Sequence, residues 1–346
     1  MEEIQDILKI TFKSLKKRDA DLKNVLDTRC QKCCRNLVLE QNFKRGPPSD
    51  PPSEHLSPPS SWSVYSHSNY PGLLVVKGAF SPDGLTDLLS KLLLDYQVKD
   101  TCGADVRSNL SCLGITCPES KSYWSTTDDQ QHLLIDKLRW VSNGYHFDWT
   151  KREYRTGFKS QFPDDLADIG YSVVKSLRVS SDVKPDSAIM NFYHPGDTLS
   201  FHTDELEWDL SKPLVSISLG LPGILCVGGT TKSDPPISLL LTHGDIIILS
   251  GPSRLAYHAV PKVFTSYHVR TCEHEVVSSS DLKSEEDHNV GSDVPIWISK
   301  FVDGLSSDRL EKIDKSLSAE ELKERIRKFL PRTRFNISIR QVEKYE

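Results

Sequence analysis

No run of about 18 or more apolar residues occurs anywhere in the sequence, so no segment reads as a membrane-spanning helix and no membrane partner is expected. An excess of positive charge is also missing. Lys and Arg total 43 against 48 Asp and Glu, a formal net charge of −5. Chains that hold nucleic acid by bulk charge are normally basic, so any such contact must use a local patch. A regular cysteine framework is absent too. The 8 cysteines are irregularly spaced, which points to reduced thiols rather than disulfides. Cys30, Cys33 and Cys34, in CQKCC, make half of a zinc knuckle, but no second pair stands at a matching spacing. They read as ordinary thiols. The opening MEEIQDILKI is acidic and lacks the apolar core of a signal peptide or the composition of a transit peptide. A cytoplasmic or nuclear protein is expected, with an organelle left open.

What is there is a chain of 346 residues with 37% hydrophobic content, enough for one large domain or two modest ones. Ile4, Leu8, Ile10 and Phe12 suggest a short amphipathic helix, followed by a basic tract with Lys16, Lys17 and Arg18. GPPSDPPSEHLSPPSS reads as a linker or extended arm. Residues 1–70 are therefore expected to form an N-terminal extension, and 71–346 the domain. PGLLVVKGAF predicts a strand. The leucines after it, at 85, 88, 89, 92 and 93, predict a helix with Ser81 or Asp83 as its cap. From residue 186 on, SAIMNFY, LVSISLG, ILCVGG, ISLLLTHGDIIILSG, LAYHAV and FNISIRQV are short β-branched runs punctuated by turns. That spacing suggests an antiparallel sandwich or barrel. An acidic, serine-rich insertion at 271–296 is expected on the surface. SAEELKERIRKFL predicts a helix opened by a Ser318/Glu321 capping box.

The chemistry begins at SFHTDELEWDLSKP. In a strand, His202 and Asp204 point to the same side and can reach one metal ion. A second imidazole would complete a set of two histidines and a carboxylate, the donor set of non-haem iron(II) with open coordination positions. His258, in RLAYHAVPKV, is the best candidate. A lone H-x-D also fits a buried histidine hydrogen-bonded to a nearby aspartate. RFNISIR turns Arg334, Asn336, Ser338 and Arg340 to one face and Phe335, Ile337 and Ile339 to the other. If the polar face points inward, its arginines need anions. One would suit a dicarboxylate cosubstrate, and the other a metal-site acid. If it points outward, it is the solvated side of an edge strand.

These elements occur in the order of the AlkB family: Asn191 and Tyr193, His202 and Asp204, His258, then Arg334 to Arg340. MNFYHPGDTL, HTDELEWDLSKPLVSISLG and GDIIILSGPSRLAYHAVPKV resemble that family in their intervening text. LRWVSNGYHFDWTKREY resembles its eukaryotic homologue 1 subgroup. The resemblance runs from about residue 72 to the C-terminus, less the acidic insertion. It implies an α+β protein with a double-stranded β-helix (jelly-roll) core and flanking helices. It also implies Fe(II), the cosubstrate 2-oxoglutarate and O2. His202, Asp204 and His258 would ligate iron. Arg334 would bind the far carboxylate of 2-oxoglutarate, with Asn191, Tyr193 and Asn336 hydrogen-bonding it. Arg340 would orient the Asp204 side of the site.

The activity implied is oxidative demethylation of nucleic-acid bases. tRNA 1-methyladenosine ranks first, with DNA N6-methyladenine and RNA 5-methylcytosine oxidation as further candidates. Trp140, Tyr145, Phe147 and Trp149, interleaved with Arg139, Lys151, Arg152 and Arg155, suit base stacking plus phosphate contact. They fall where the family places its nucleotide-recognition lid, here 138–160. The other reading of that segment is a loop whose aromatics pack onto the sandwich. Leu206 stands where the bacterial member has a second acidic residue, so that enzyme's substrate preference is not carried over. Two alternatives remain: an oxygenase of the same fold acting on protein, and a non-catalytic nucleic-acid-binding module. A monomer is expected.

Overall fold

The computed structural model describes residues 6–30, 37–39, 53–97, 107–115, 117, 121–269, 271 and 295–345. Cys33, Cys34 and most of the acidic insertion lie outside the described residues. Its helices and strands, in chain order, are α1 (Ile7–Lys16), β1 (Val25–Leu26), β2 (Leu37–Leu39), β3 (Ser63–His67), β4 (Leu73–Lys77), α2 (Pro82–Leu94), β5 (Arg107–Ser108), α3 (Asn109–Cys112), β6 (Trp140–Asp148), β7 (Glu153–Lys159), α4 (Asp164–Ser176), β8 (Ser187–Tyr193), β9 (Leu199–His202), β10 (Leu214–Gly220), β11 (Gly223–Val227), β12 (Ile237–Leu241), β13 (Ile246–Leu249), β14 (His258–Val263), α5 (Ile296–Asp303), α6 (Ser307–Ile313), α7 (Ala319–Phe329) and β15 (Arg334–Arg340). Among these, no helix is long and apolar enough to cross a membrane.

Alternation along the strands builds two layers. One sheet runs β2-β3-β4-β13-β10-β15-β8-β6-β5, with β7 paired to β6, and the other runs β1-β12-β11-β14-β9. In β15, Phe335, Ile337 and Ile339 join Ala188, Met190 and Phe192 of β8 and Val215, Ile217 and Leu219 of β10 in the main core. There they meet α2, α4 and α7. The opposite residues, with Tyr193, Leu214, Ile247, Leu249, Leu225, Val227 and Val260, fill the space between the sheets. Both caps expected from the sequence form: Ser81 accepts from Gly84 N–H, and Ser318 and Glu321 make a reciprocal capping box.

The N-terminal region departs from expectation. Strands β1, β2 and β3 belong to the two sheets, so residues expected to lie outside the domain contribute to it. β1 and β2, of two and three residues, carry no periodicity that a sequence pattern can register. Helix α1 buries Leu8 and Leu15 and sets Phe12 against Phe201, ring centres 6.4 Å apart. Ile10, expected on its apolar face, is 48% exposed. The described end of the Pro/Ser-rich stretch is packed as well, with Ser53, His55 and Leu56 buried. Such composition signals irregular backbone, not exposure.

One turn carries a titratable group into the packing. His243, between β12 and β13, stacks on Trp297 with rings 4.4 Å apart, and its Nδ1 accepts from Gly220 N–H at 3.0 Å. Burial pushes the imidazole down to about 4 from 6.5. The unfolded chain therefore binds this proton at a higher pH than the folded one. Folding stability in the absence of ligands is expected to be fully present above pH 6.5 and to fall as pH drops towards about 4. The slope contributed is about 1.4 kcal/mol per pH unit. Urea denaturation at stepped pH measures it, and His243→Gln, which keeps an acceptor for Gly220, should remove that component.

Candidate metal centre and cosubstrate cleft

His202 ends β9 and faces His258 of β14 as its cross-strand partner. Phe201 and Ala259 beside them face the cluster under α1, so alternation sends both imidazoles between the sheets. Their ring centres are 4.2 Å apart. In each ring Nδ1 lies near a carbonyl two residues back: Ser200 O at 2.9 Å for His202 and Ala256 O at 3.1 Å for His258. A carbonyl only accepts, so both Nδ1 atoms carry the proton and both Nε2 atoms present a lone pair. Those Nε2 atoms converge on Asp204, at 4.0 Å for His202 and 3.8 Å for His258. The strand ends at His202. Asp204 reaches the site from the extended segment beyond it, not from the ladder.

The protonation states suit a cation. Burial, and then the neighbouring His202, push His258 down to about 4, so it is a neutral ligand near pH 7. Burial alone would raise the Asp204 carboxyl. The Arg340 guanidinium, the two imidazoles and Arg254 outweigh that and hold it well below the usual carboxylate range. Among the described residues, His202, Asp204 and His258 are the group placed to hold a metal ion, with ligand atoms within 4.8 Å of one another. Two imidazoles and a carboxylate suit iron(II).

β15 points its polar face inward. Arg334 is 2% exposed. Its Nη1 donates to Leu221 O at 3.0 Å and its Nη2 to Ser218 Oγ at 2.9 Å. Among the described residues no carboxylate makes an ion pair with it and its buried Nε has no acceptor, and burial, opposed in part by the Tyr193 phenol and the Asp245 charge, pushes the guanidinium down to about 10. A buried cation without a counter-ion is costly. An anion entering from the cleft would relieve that cost, and the planar fork suits a carboxylate. The residues present therefore fit 2-oxoglutarate. Tyr193 is the cross-strand partner of Arg334, and Asn191 that of Asn336. Burial pushes the Tyr193 phenol up, which keeps it a neutral donor. Asn336 Nδ2 donates to Ser216 Oγ at 2.6 Å.

Arg340 serves a different group. Six residues of strand separate it from Arg334, roughly 20 Å. Its Nη2 lies 3.3 Å from Asp204 Oδ2, and its Nη1 donates to Glu207 Oε1 at 2.8 Å. Glu207 and Arg254 complete this buried cluster and were not singled out as site residues from the sequence. The only available signal was proximity, three residues after one ligand and four before another. Charge pattern alone does not reveal burial.

The aromatic segment separates into two groups. β6 and β7 form a hairpin whose register shifts between Tyr145 and Phe147. Gly144 precedes the shift at φ +74°, where a Cβ would meet Asp186 O at 2.0 Å. This bend buries Tyr145, and its hydroxyl donates to Glu343. Tyr145, expected to hold a base, is buried in this packing. Phe147 is partly buried against Tyr154. Trp149 is 52% exposed and stands 5.4 Å from Trp140. Arg155 is paired with Asp148 at 2.9 Å, and Arg139 lies 3.5 Å from Asp197. Lys151 and Arg152 are exposed. Leu206 and Trp208, in the loop after Asp204, are also exposed, and Trp208 packs on Tyr145 at 5.3 Å. Their aromatic and apolar character in an acidic loop was the missed signal.

Residues 72–340 match the family model described as the 2OG-Fe(II) oxygenase superfamily. The chain is 38% identical over 218 residues to the protein named tRNA demethylase abh1 of Schizosaccharomyces pombe, covering 58% of this chain and 71% of that one. It is 33% identical over 230 residues to nucleic acid dioxygenase ALKBH1 of Homo sapiens, covering 65% of this chain and 57% of that one. It is 46% identical over 90 residues to the alpha-ketoglutarate-dependent dioxygenase AlkB of Escherichia coli, covering 26% of this chain and 42% of that one. The chain thus spans just over half of the human relative and less than half of the bacterial one.

Arg334→Met separates ligand binding from folding. Removing a buried, unpaired charge is expected to leave ligand-free stability within about 1 kcal/mol of the parent, or to raise it. The same change should abolish the rise in melting temperature that 2-oxoglutarate produces with a divalent metal. Thermal melts with and without both ligands check this.

Proposed function

We propose a reaction from one premise: the chain belongs to the 2OG-Fe(II) oxygenase superfamily, and within it to the AlkB family beside the homologue 1 proteins. It is a dioxygenase that takes Fe(II), 2-oxoglutarate and O2. Its reaction is oxidative demethylation of methylated bases in nucleic acid. The observation that carries this reading is the buried, unneutralised Arg334 on the same interior face that receives His202, Asp204 and His258. A bare metal-binding protein would have no use for that second anion site.

His202, Asp204 and His258 would hold the iron, and Arg334 the far carboxylate of 2-oxoglutarate. When bound, the two supply the oxidising chemistry: 2-oxoglutarate and O2 become succinate and CO2 while one oxygen atom enters a substrate C–H bond. On an N-methyl group the resulting hydroxymethyl leaves as formaldehyde and the bare base is restored. The protein's own part is positioning and exclusion of water. Backbone carbonyls fix both imidazole tautomers. Arg340 keeps Asp204 ionised. Tyr193 and Asn191 line the approach to Arg334 from the neighbouring strand.

A base must leave its stack to reach such a site, and exposed aromatic faces favour that. Trp149, Trp208 and half-buried Trp140 supply them, with Lys151 and Arg152 beside the hairpin turn for phosphate. tRNA is the preferred substrate class and 1-methyladenosine the preferred mark. Of the three relatives named above, the one whose length this chain covers most fully is named a tRNA demethylase.

The test is succinate formation by anaerobically iron-loaded protein given 2-oxoglutarate and O2, with methylated tRNA, methylated single-stranded DNA, a peptide mixture or no substrate. Turnover stimulated by methylated tRNA, and lost in His202→Ala and Arg334→Ala, is expected. Stimulation by peptide and not by nucleic acid would move the assignment to a protein oxygenase.

A further inference from the structure

The cluster behind Asp204 has a built-in division of labour. Arg340 is 5% exposed and lies between two carboxylates. It stands 2.8 Å from Glu207 Oε1 and 3.3 Å from Asp204 Oδ2. Glu207 is also 5% exposed, and its other oxygen lies 3.1 Å from Arg254 Nη2. That second contact falls short of hydrogen-bond geometry, since Glu207 Oε2 has no hydrogen-bond partner. Arg254 is 3% exposed and uses its remaining donors on the loop itself: Nη1 on Asp204 O, and Nε on Lys212 O at 2.7 Å. Both ends of the 204–212 segment are thus tied to one guanidinium. Ser338 Oγ accepts from Arg340 Nη2 at 2.8 Å, and the Tyr154 phenol of the hairpin faces Arg340 from the other side.

The charges of this cluster close on themselves. Two guanidinium groups meet two carboxylates, and of the four only Asp204 keeps appreciable exposure. Arg340 makes its shorter contact to Glu207 and its longer one to Asp204. We infer that Glu207 is a positioning residue for the metal centre: it draws Arg340 partly off the Asp204 carboxylate, so that Asp204 keeps an oxygen free for a cation. The inference rests on the metal-binding reading of the triad. Without the Glu207 charge, Asp204 would be the only carboxylate left to two buried cations. Arg340 would close on it and compete with the metal, and the pocket would gain a unit of positive charge. Both effects weaken cation binding. Partners that orient a ligating carboxylate typically change metal affinity by about 10–100-fold.

The experiment is Mn(II) titration of the full chain followed by electron paramagnetic resonance, with Fe(II) affinity measured anaerobically in parallel. Glu207→Gln should bind Mn(II) about 10–100-fold more weakly and give an altered bound-metal spectrum. Glu207→Asp, which keeps the charge one methylene short, should recover part of both. Glu205→Gln is the control, because Glu205 is exposed, and should bind as the parent does. Parental affinity and spectrum in folded Glu207→Gln would overturn the inference while leaving the metal site standing. Failure of the parent itself to bind Mn(II) would overturn the metal-site reading, and this inference with it. If Glu207→Gln does not fold, Glu207→Asp decides. Weaker binding at an unchanged melting temperature supports the positioning role, and parental binding refutes it.

Discussion

Everything in this molecule depends on keeping guanidinium groups out of water. β15 runs through the larger sheet and gives one side to hydrocarbon and the other to charge. Phe335, Ile337 and Ile339 lock it onto the helical layer, and that packing forces Arg334 and Arg340 into the space between the sheets. A buried guanidinium costs several kcal/mol unless something answers it. The two arginines are answered differently, and that difference organises the site.

Arg340 is answered from within. Asp204, Glu207 and the Tyr154 phenol surround it, and Arg254 braces Glu207 and the loop that carries Asp204. The carboxylate that faces the two imidazoles is therefore held ionised by the fold before any metal arrives. Arg334 is left unanswered. It has a carbonyl and a hydroxyl as hydrogen-bond acceptors, and among the described residues no acid pairs with it directly. The fold thus carries one closed charge cluster and one open one on a single strand face. An anionic cosubstrate would close the second.

The aromatic hairpin meets the closed cluster. Tyr145 and Tyr154 pack with Val342 beneath its exposed tip, and Tyr154 also faces Arg340. The surface that would meet a substrate is therefore built on the same side chains that brace the metal carboxylate. Trp149 and Trp208 stay outside because the residues beneath them already fill that small core. Stacking surface and charge cluster share one foundation, and a change in either is felt by the other through the hairpin.

Much of this was legible in the sequence, for identifiable reasons. Period-two alternation in SAIMNFY, LVSISLG and FNISIRQV marked the strands and which residues share a face. The Ser318/Glu321 box marked a helix start. The two-residue spacing of His202 and Asp204, with His258 as the best third candidate, marked the triad that the fold brings together. Each of these is local, set by backbone geometry over a few residues or by the chemistry of a donor set. Tertiary structure alone decided whether the face of Arg334 and Arg340 met water or protein, since an edge strand and a central strand share one pattern. It decided that Tyr145 is buried, because the bend at Gly144 and the docking of Trp208 and Glu343 lie far apart in the chain. It placed Phe12 and Leu15 on the back of the histidine-bearing sheet and drew β1, β2 and β3 into the sheets. It also brought Arg254 to Glu207 across the loop. Charge pairing and burial between residues far apart in sequence depend on which chain segments meet. No local pattern encodes that meeting, because its free energy is settled by the desolvation of both partners together.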